Sequence, residues 1–471
     1  MTKSISRRGD EDPMITLCRM VEETKFEDLP RDLIDFSKKL IMDVLGITIA
    51  GSSQEAIPEI IDLVKDHGGK KESLIPFYGI KVPASMAAFA IGPMSRAIDM
   101  GDVHERAGHS SEYVFPALLA ATGLKHKVTG KDFITAFVAG EEVLVRIGEA
   151  GKSMELAGKG TDHGGNYIFG IVAAVGKLLE LSLEELQNAM GMAVAMTQPH
   201  DMQMYAEACH MPRVHHGFMC QDAINICLLA KKGLSGPHSI MLGPKGYLNM
   251  YDRVGTDPDK LTIGLGEDWR MKTTMLKPYA SCKCCHTTND AILALMEEHK
   301  FSAEDIDGIH CDESSINWGV VGLPRELKWN PRTTPECQFS LPYNVATAVF
   351  DKRVFLDSYT DEAKTRKSVR DLMTKITAEE DKELPPWAAR VTVTLKDGRN
   401  VTKEMIYAKG HIKNPFTMEE IITKFKWMIP YSANELPDTT VNSLSETIIK
   451  LEDVDDVVKS IIEPLTPENI M

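Results

Sequence analysis

The densest collection of reactive side chains in this sequence is the run from Asp99 to Ser111, which gathers Asp99, Asp102, His104, Glu105, Arg106, His109, Ser110 and Ser111 around Gly101 and Gly108. Carboxylates and imidazoles held close together transfer protons near neutral pH, and glycines let the backbone bring them together. The run therefore reads as a candidate acid/base loop. The plainer alternative is a solvated surface loop in which Ser110 and Ser111 cap the helix that follows. A second cluster runs from Lys277 through Tyr279, Ser281, Cys282, Lys283, Cys284 and Cys285 to His286. Thiols and an imidazole suggest zinc or an iron–sulfur centre. The spacing C-x-C-C-H lacks the C-x2-C separation and has no second ligand pair downstream, so buried structural thiols are the better reading and no metal is expected. His163, in the segment Gly160–Gly165, places an imidazole ahead of an apolar run, and Arg213 with His215 and His216 offers a guanidinium suited to a carboxylate. The alternative for each is structural: neutral histidines bonded to backbone and a surface arginine. Phosphate-loop, dinucleotide-binding, serine-hydrolase and zincin motifs do not occur.

These groups must be positioned by the rest of a 471-residue chain that is 43% hydrophobic and 26% charged, the profile of a folded globular protein of two or three domains. With 53 Lys and Arg against 68 Asp and Glu, the formal charge of −15 disfavours a nucleic-acid-binding surface but leaves room for an anionic substrate, which needs only local cations. No apolar stretch is long enough to span a membrane, and Met1 to Pro13 is polar. Nine cysteines scattered from Cys18 to Cys337 make a poor disulfide framework, so a reducing, cytoplasmic compartment is expected.

From about Pro30 to Met275 the pattern is helix after helix. Leu33, Phe36, Leu40, Val44 and Leu45 share one face of Leu33–Gly51, and further runs are expected at 84–97, 114–122, 131–150, 168–181, 183–196 and 221–232. Several are rich in Ala and Gly, which allow close helix approach. After residue 275, Ile306–Cys311 and Ala389–Leu395 alternate with period 2, and Asp397-Gly398 marks a hairpin into Asn400–Thr402. Helical runs at 288–299, 344–350 and 368–375 interrupt the strands, and helical character returns at 418–428, 442–450 and 454–461. The expected fold is mostly α: a large all-α helical domain built from both chain ends, 1–275 and 409–471, with a smaller α+β lid domain at 276–408.

Taken together, the segments resemble the MmgE/PrpD family, which includes 2-methylcitrate dehydratase, cis-aconitate decarboxylase and iminodisuccinate epimerase. Asp99, Asp102 and His109 are similar to the family's D-F-D-D-T-x-H-x-x-x-H-P-S loop. Thr161-Asp162-His163 with Phe169-Gly170 resembles its G-W-H-P-T segment and the F-G that follows. Lys277-Pro278-Tyr279-x-x-Cys282-x-x-x-His286 is similar to K-x-Y-P-x-C-x-x-x-H, and Phe339-Ser340-Leu341-Pro342-Tyr343 to F-S-L-P-Y. Gly410 to Pro415, with Glu420 and Lys424-Phe425, resembles the closing motif.

The resemblance implies a helical domain and a lid with the active site between them, a homodimer, no cofactor or metal, and a small anionic polycarboxylate as substrate. It places Asp99, His109, His163, Lys277 and Tyr343 on catalytic positions, and Asp102, Arg213, His215 and His286 on substrate-binding ones. The expected roles are His109 as general acid/base, Asp99 fixing its tautomer or sharing in proton transfer, Lys277 holding a carboxylate, and His163 and Tyr343 as donors lining the pocket. Val103 stands where the family has Thr, Ser110 where it has Pro, and Pro212 where it has Lys, with Arg213 one residue on. These departures point away from 2-methylcitrate or cis-aconitate held in the usual way. The leading expectation is a dehydratase of a citrate-like acid, followed by an epimerase or isomerase of a succinate-like compound and then a decarboxylase. A non-catalytic carboxylate binder and a metal-dependent hydratase complete the alternatives.

Overall fold

The computed structural model describes residues 10–151, 166–197, 209–242, 245–251 and 256–466. The chain divides into two compact units. The first comprises Met1–Ala97, Gly101–Thr274 and Thr417–Met471, and the second Ile98–Met100 with Met275–Phe416.

The first unit is helical, with a short hairpin of Ser73–Ile75 paired to Ile80–Val82. Its principal helices are Arg31–Gly51, Ala84–Arg96, Ser111–Ala121, Gly130–Gly151, Tyr167–Leu178 and Met211–Lys231. From Leu40 to Gly51 every residue is buried, which is why the expected one-sided stripe broadens into an apolar cylinder. Small residues set the helix spacing. A Cβ on Gly217 would stand 2.3 Å from the Phe89 carbonyl oxygen, and one on Gly92 would stand 2.9 Å from the Gly217 Cα, so Ala84–Arg96 and Met211–Lys231 cross backbone against backbone. The helix Met418–Met428 returns to Arg31–Gly51: Lys424 Nζ lies 2.6 Å from the buried Asp43 carboxylate, whose pKa burial pushes up to about 6 against the pull of that ammonium. The run expected at 454–461 is instead a wide turn at Val458–Ile462 followed by a tight one at Glu463–Leu465.

The second unit holds a four-stranded sheet in the order Ile376–Glu380, Ile306–Glu313, Ala389–Leu395, Asn400–Met405. Ala389, Val391, Val393 and Leu395 are buried and the residues between them partly exposed, as the alternation requires. The turn at Asp397-Gly398 joins the last two strands in antiparallel register. The strand Ile376–Glu380 pairs parallel to Ile306–Glu313 and was not expected, because only Ile376 and Ala378 of its five residues are buried and its period is too short to register. Helix His286–His299 packs on the strands Ala389–Leu395 and Asn400–Met405, and Leu341–Asp351 packs against that helix. No helix among the described residues is long and apolar enough to cross a membrane.

Candidate active site

Within the first unit, the loop from Gly101 to Ser110 is organised by Asp102. Its fully buried carboxylate accepts hydrogen bonds from Ser110 N (3.0 Å), Ser110 Oγ (3.0 Å), Ser111 N (3.2 Å) and Ser111 Oγ (2.5 Å). The expected capping by the two serines is thus reversed: their hydroxyls donate to Asp102, and Asp102 caps the helix Ser111–Ala121, where an anion is favoured. Asp102 was expected to bind substrate, yet its carboxylate is taken up inside the protein. Burial raises its pKa and the serine donors oppose that rise.

The main-chain carbonyl of the same residue receives Nδ1 of His109 at 2.6 Å. A carbonyl can only accept, so Nδ1 carries the hydrogen and Nε2 keeps the lone pair of a base. The group that fixes the tautomer is therefore Asp102 O rather than Asp99. The His109 main-chain N–H donates to Tyr167 Oη at 3.3 Å. The side chain is 22% exposed, so this imidazole reaches solvent while its anchor is buried. His104, the other imidazole of the loop, is a staple. Its Nδ1 accepts from Arg106 N and Ala107 N, both at 3.1 Å, and its Nε2 faces Thr273 Oγ1 at 2.8 Å.

Behind the loop stand carboxylates that sequence reasoning did not single out. Glu141 Oε2 lies 2.5 Å from Ser110 Oγ. Burial and the neighbouring Asp102 charge hold the Glu141 carboxyl well above its ordinary range. Burial thus favours its neutral form, in which Glu141 can donate to Ser110 Oγ while that hydroxyl donates to Asp102 Oδ2. Glu112 is fully buried, with Arg96 Nη1 at 3.3 Å. A signal exists in the sequence for Glu112, an acidic residue at the head of an otherwise apolar helical run, whereas Glu141 shares its helix with Glu142, Arg146 and Glu149 and does not stand out.

His215 and His216 lie buried on the helix Met211–Lys231. His215 Nδ1 donates to Met211 O at 2.8 Å, so Nε2 accepts from the Tyr113 hydroxyl. Both ring nitrogens, expected to meet substrate, are engaged with protein. His216 stacks on Tyr113, ring centroids 3.7 Å apart, and Tyr113 stacks on Tyr167 at 4.1 Å. Arg213 is buried in the first turn of the same helix. His163 lies outside the described residues.

Within the second unit, Lys277 is 2% exposed, and its Nζ donates to Asp99 Oδ1 at 3.0 Å and to Asp99 O at 3.2 Å. Asp99 can present both oxygens because its backbone is left-handed, φ +51°, a conformation Asp adopts more readily than most residues. An ammonium has three donors. The third has no partner among the described residues. The Cys282 thiol pKa is lowered, chiefly by a hydrogen bond from Cys284 and further by Lys277, against burial and Asp99. His286, expected to bind substrate, is buried and faces the Ser281 carbonyl oxygen through Nε2 at 3.2 Å. Burial and Lys277 push its pKa well below the ordinary value, so it is neutral. Tyr343 spends its hydroxyl on Ser358 O at 2.6 Å, under the Arg370 guanidinium.

Among the described residues, the group whose His, Cys or carboxylate ligand atoms lie within metal-binding reach of one another is His310, Asp312 and Glu379. Arg390 also reaches Asp312, at 3.6 Å, and ion pairs account for the cluster. Cys282, Cys284, Cys285 and His286 do not bring three ligand atoms that close.

The fold thus combines a mostly helical unit assembled from separated stretches of chain with an α+β unit. Family models match both parts of the chain. Residues 15–257 match the MmgE/PrpD N-terminal domain and residues 279–446 the MmgE/PrpD C-terminal domain, so the chain belongs to the MmgE/PrpD family. It is 26% identical over 467 residues to the cis-aconitate decarboxylase-like protein oryM of Aspergillus oryzae, covering 94% of this chain and 95% of that protein. It is similar to the cis-aconitate decarboxylase of Aspergillus terreus, 24% identical over 94% of this chain and 93% of that protein. The cis-aconitate decarboxylase of Mus musculus is 26% identical, over 93% of this chain and 90% of that protein.

Proposed function

We propose that this protein is a lyase acting on a small tricarboxylate or dicarboxylate, with His109 as general acid/base and Lys277 as a carboxylate-binding cation. The observation that carries the reading is His109 itself, an imidazole with its hydrogen committed to Asp102 O through Nδ1 and a basic Nε2. Lys277, buried and with one donor unclaimed among the described residues, supports it, because an ammonium in that setting gains by meeting an anion.

Decarboxylation of cis-aconitate is the reaction to assay first, since the relatives named above bear that activity or a likeness to it. Loss of CO2 leaves an electron pair at carbon, which requires a cation for the remaining carboxylates and a proton donor, tasks that Lys277 and protonated His109 would perform. Dehydration of a citrate-like acid other than 2-methylcitrate is the second reading, because the departures at Val103 and Pro212 point away from both cis-aconitate and 2-methylcitrate held in the usual way. It needs the same base for the proton α to a carboxylate.

The test is proton NMR in D2O with purified protein and cis-aconitate, citrate, 2-methylcitrate and iminodisuccinate in turn, alongside His109→Ala. A change in olefinic or methylene signals that the variant does not produce supports a lyase and identifies the reaction. Exchange of an α-proton with the skeleton intact would replace it with an epimerase. Equal turnover by His109→Ala would remove His109 from the chemistry.

A further inference from the structure

The second unit includes three residues from far upstream, Ile98–Met100, docked among Met275–Phe416. Lys277 Nζ holds this strip at Asp99 O and Asp99 Oδ1. A neutral side chain holds it one residue earlier. Gln338, buried and directly ahead of the string Phe339–Tyr343, donates from Nε2 to Ile98 O at 3.2 Å and to Ala280 O at 3.1 Å. Its main-chain carbonyl accepts from Cys282 N at 3.0 Å. Gln338 thus ties the residue before Asp99 to the segment that follows Lys277. The orientation of its amide is fixed, because both partners are carbonyls and can only accept, so the NH2 group must face them.

The backbone beneath Gln338 is braced. It ends the short helix Thr334–Gln338, whose first turn is closed by Thr333 and Glu336. The carbonyls of Cys337 and Ser340, on either side of it, both accept from the buried Asn344 Nδ2, at 2.9 and 2.8 Å. A side chain that reaches from a braced backbone to two carbonyls sets where those carbonyls lie.

We propose that Gln338 is a positioning residue for Lys277: by satisfying the Ile98 carbonyl and joining it to Ala280, it lets the ammonium hold Asp99 with two donors and keep the third for a ligand carboxylate. Ile98 is wholly buried, and a buried carbonyl stripped of its donor costs more than the bond it loses. Lys277 already sits on the next carbonyl along the chain, and its third hydrogen has no partner among the described residues, so the ammonium is the donor at hand. Without Gln338, that hydrogen is drawn from ligand binding into holding the chain. The inference rests on the reading of Lys277 as the carboxylate-binding cation and adds the residue that keeps the cation available.

The experiment uses the full chain labelled with 15N at the lysine Nζ, with Lys277→Arg to assign the Lys277 resonance and tricarballylate, a saturated tricarboxylate, as the anion. Gln338→Met keeps much of the volume and removes both donors. Without ligand, this variant shifts the Lys277 resonance and leaves the other lysines in place, whereas Gly217→Ala, which strains a helix crossing in the first unit, leaves Lys277 unmoved. In calorimetric titration tricarballylate binds Gln338→Met about tenfold or more weakly than the parent, the effect of losing one hydrogen bond to a charged group. An unmoved Lys277 resonance in folded Gln338→Met overturns the proposal, and so does a shifted resonance with unchanged affinity. If that variant does not fold, Gln338→Asn, whose amide is a methylene short of the two carbonyls, meets the same two criteria. A parent protein that binds no tricarballylate overturns the carboxylate reading of Lys277, and the resonance alone then decides whether Gln338 positions the ammonium.

Discussion

Replacing Asp102 with Asn and Glu141 with Gln makes the same chemical change, carboxyl to amide, at two groups joined through Ser110 Oγ, yet the two should respond very differently. Asp102 accepts from two backbone N–H groups and two hydroxyls. An amide can keep one oxygen toward them but must turn an NH2 toward the rest, so at least two bonds to a charged acceptor are lost. At about 1.5–3 kcal/mol for each, Asp102→Asn should cost roughly 3–6 kcal/mol. In the neutral form that burial favours, Glu141 donates to Ser110 Oγ, and the amide NH2 of Gln supplies the same donor. Glu141→Gln should therefore cost about 1 kcal/mol or less. Urea unfolding followed by circular dichroism, with the slope checked to be constant across variants, measures both. Activity gives a second reading: Asp102→Asn should also lower turnover, because the carbonyl that orients His109 belongs to the displaced residue. Equal costs for the two variants, or a larger one for Glu141→Gln, would refute the assignment of the proton to Glu141.

The buried Glu313, held by Thr288 and Asn317, has its pKa raised by desolvation to about 8, against an ordinary value of 4.5. The fold thus favours the protonated form: its contribution is complete below pH 4.5 and is lost as pH rises through about 8. At about 1.4 kcal/mol per pH unit that interval is worth on the order of 5 kcal/mol, so a Glu313→Gln protein should lose far less stability than the parent between pH 6 and 9 in denaturant titrations. Gly217→Ala should cost about 1–3 kcal/mol or more, because its Cβ would meet the Phe89 carbonyl at 2.3 Å, while Gly319→Ala, with nothing within 4 Å, should stay within about 0.5 kcal/mol in the same assay. Lys277→Met removes the ammonium 3.0 Å from the buried Asp99 carboxylate and should destabilise the protein in urea melts. It should also raise KM for any substrate bearing a carboxylate at that site, and an unchanged KM would remove Lys277 from binding. In iodoacetamide mapping by mass spectrometry, Cys282 should alkylate ahead of Cys284 and Cys285, whose thiols are held well above the ordinary value.

Much of the secondary structure was legible because periodicity is a local property. The strand Ala389–Leu395 and the helix Met418–Met428 fall on their expected residues, and the long helices of the first unit differ from expectation chiefly at their ends. One end moved further: Met211–Lys231 begins ten residues before its expected start, because Pro212 sits in the first turn, where its missing N–H costs nothing. The strand Ile376–Glu380 escaped notice since its pairing, to Ile306–Glu313 across a long connection, leaves almost no trace in five residues.

The sequence by itself determined the family, the helical and mixed character of the two parts, and the side chains with chemistry to offer, because residue types, order and spacing carry all three. Only the tertiary structure decided which of those side chains have that chemistry to spare. Asp102, His104, His215 and Tyr343 look as reactive in the sequence as His109 and Lys277, but their polar atoms are consumed by Ser110 and Ser111, Thr273, Tyr113 and Ser358. Conversely, Glu112 and Glu141 look like incidental acids in the sequence, and folding buries them beside the loop. The reason is that a hydrogen bond or a desolvated charge depends on what the chain brings within about 3–4 Å, and neither the bend that turns Asp102 onto Ser110 and Ser111 nor the packing of His104 on Thr273 and Tyr113 on His215 can be read from a local stretch of sequence.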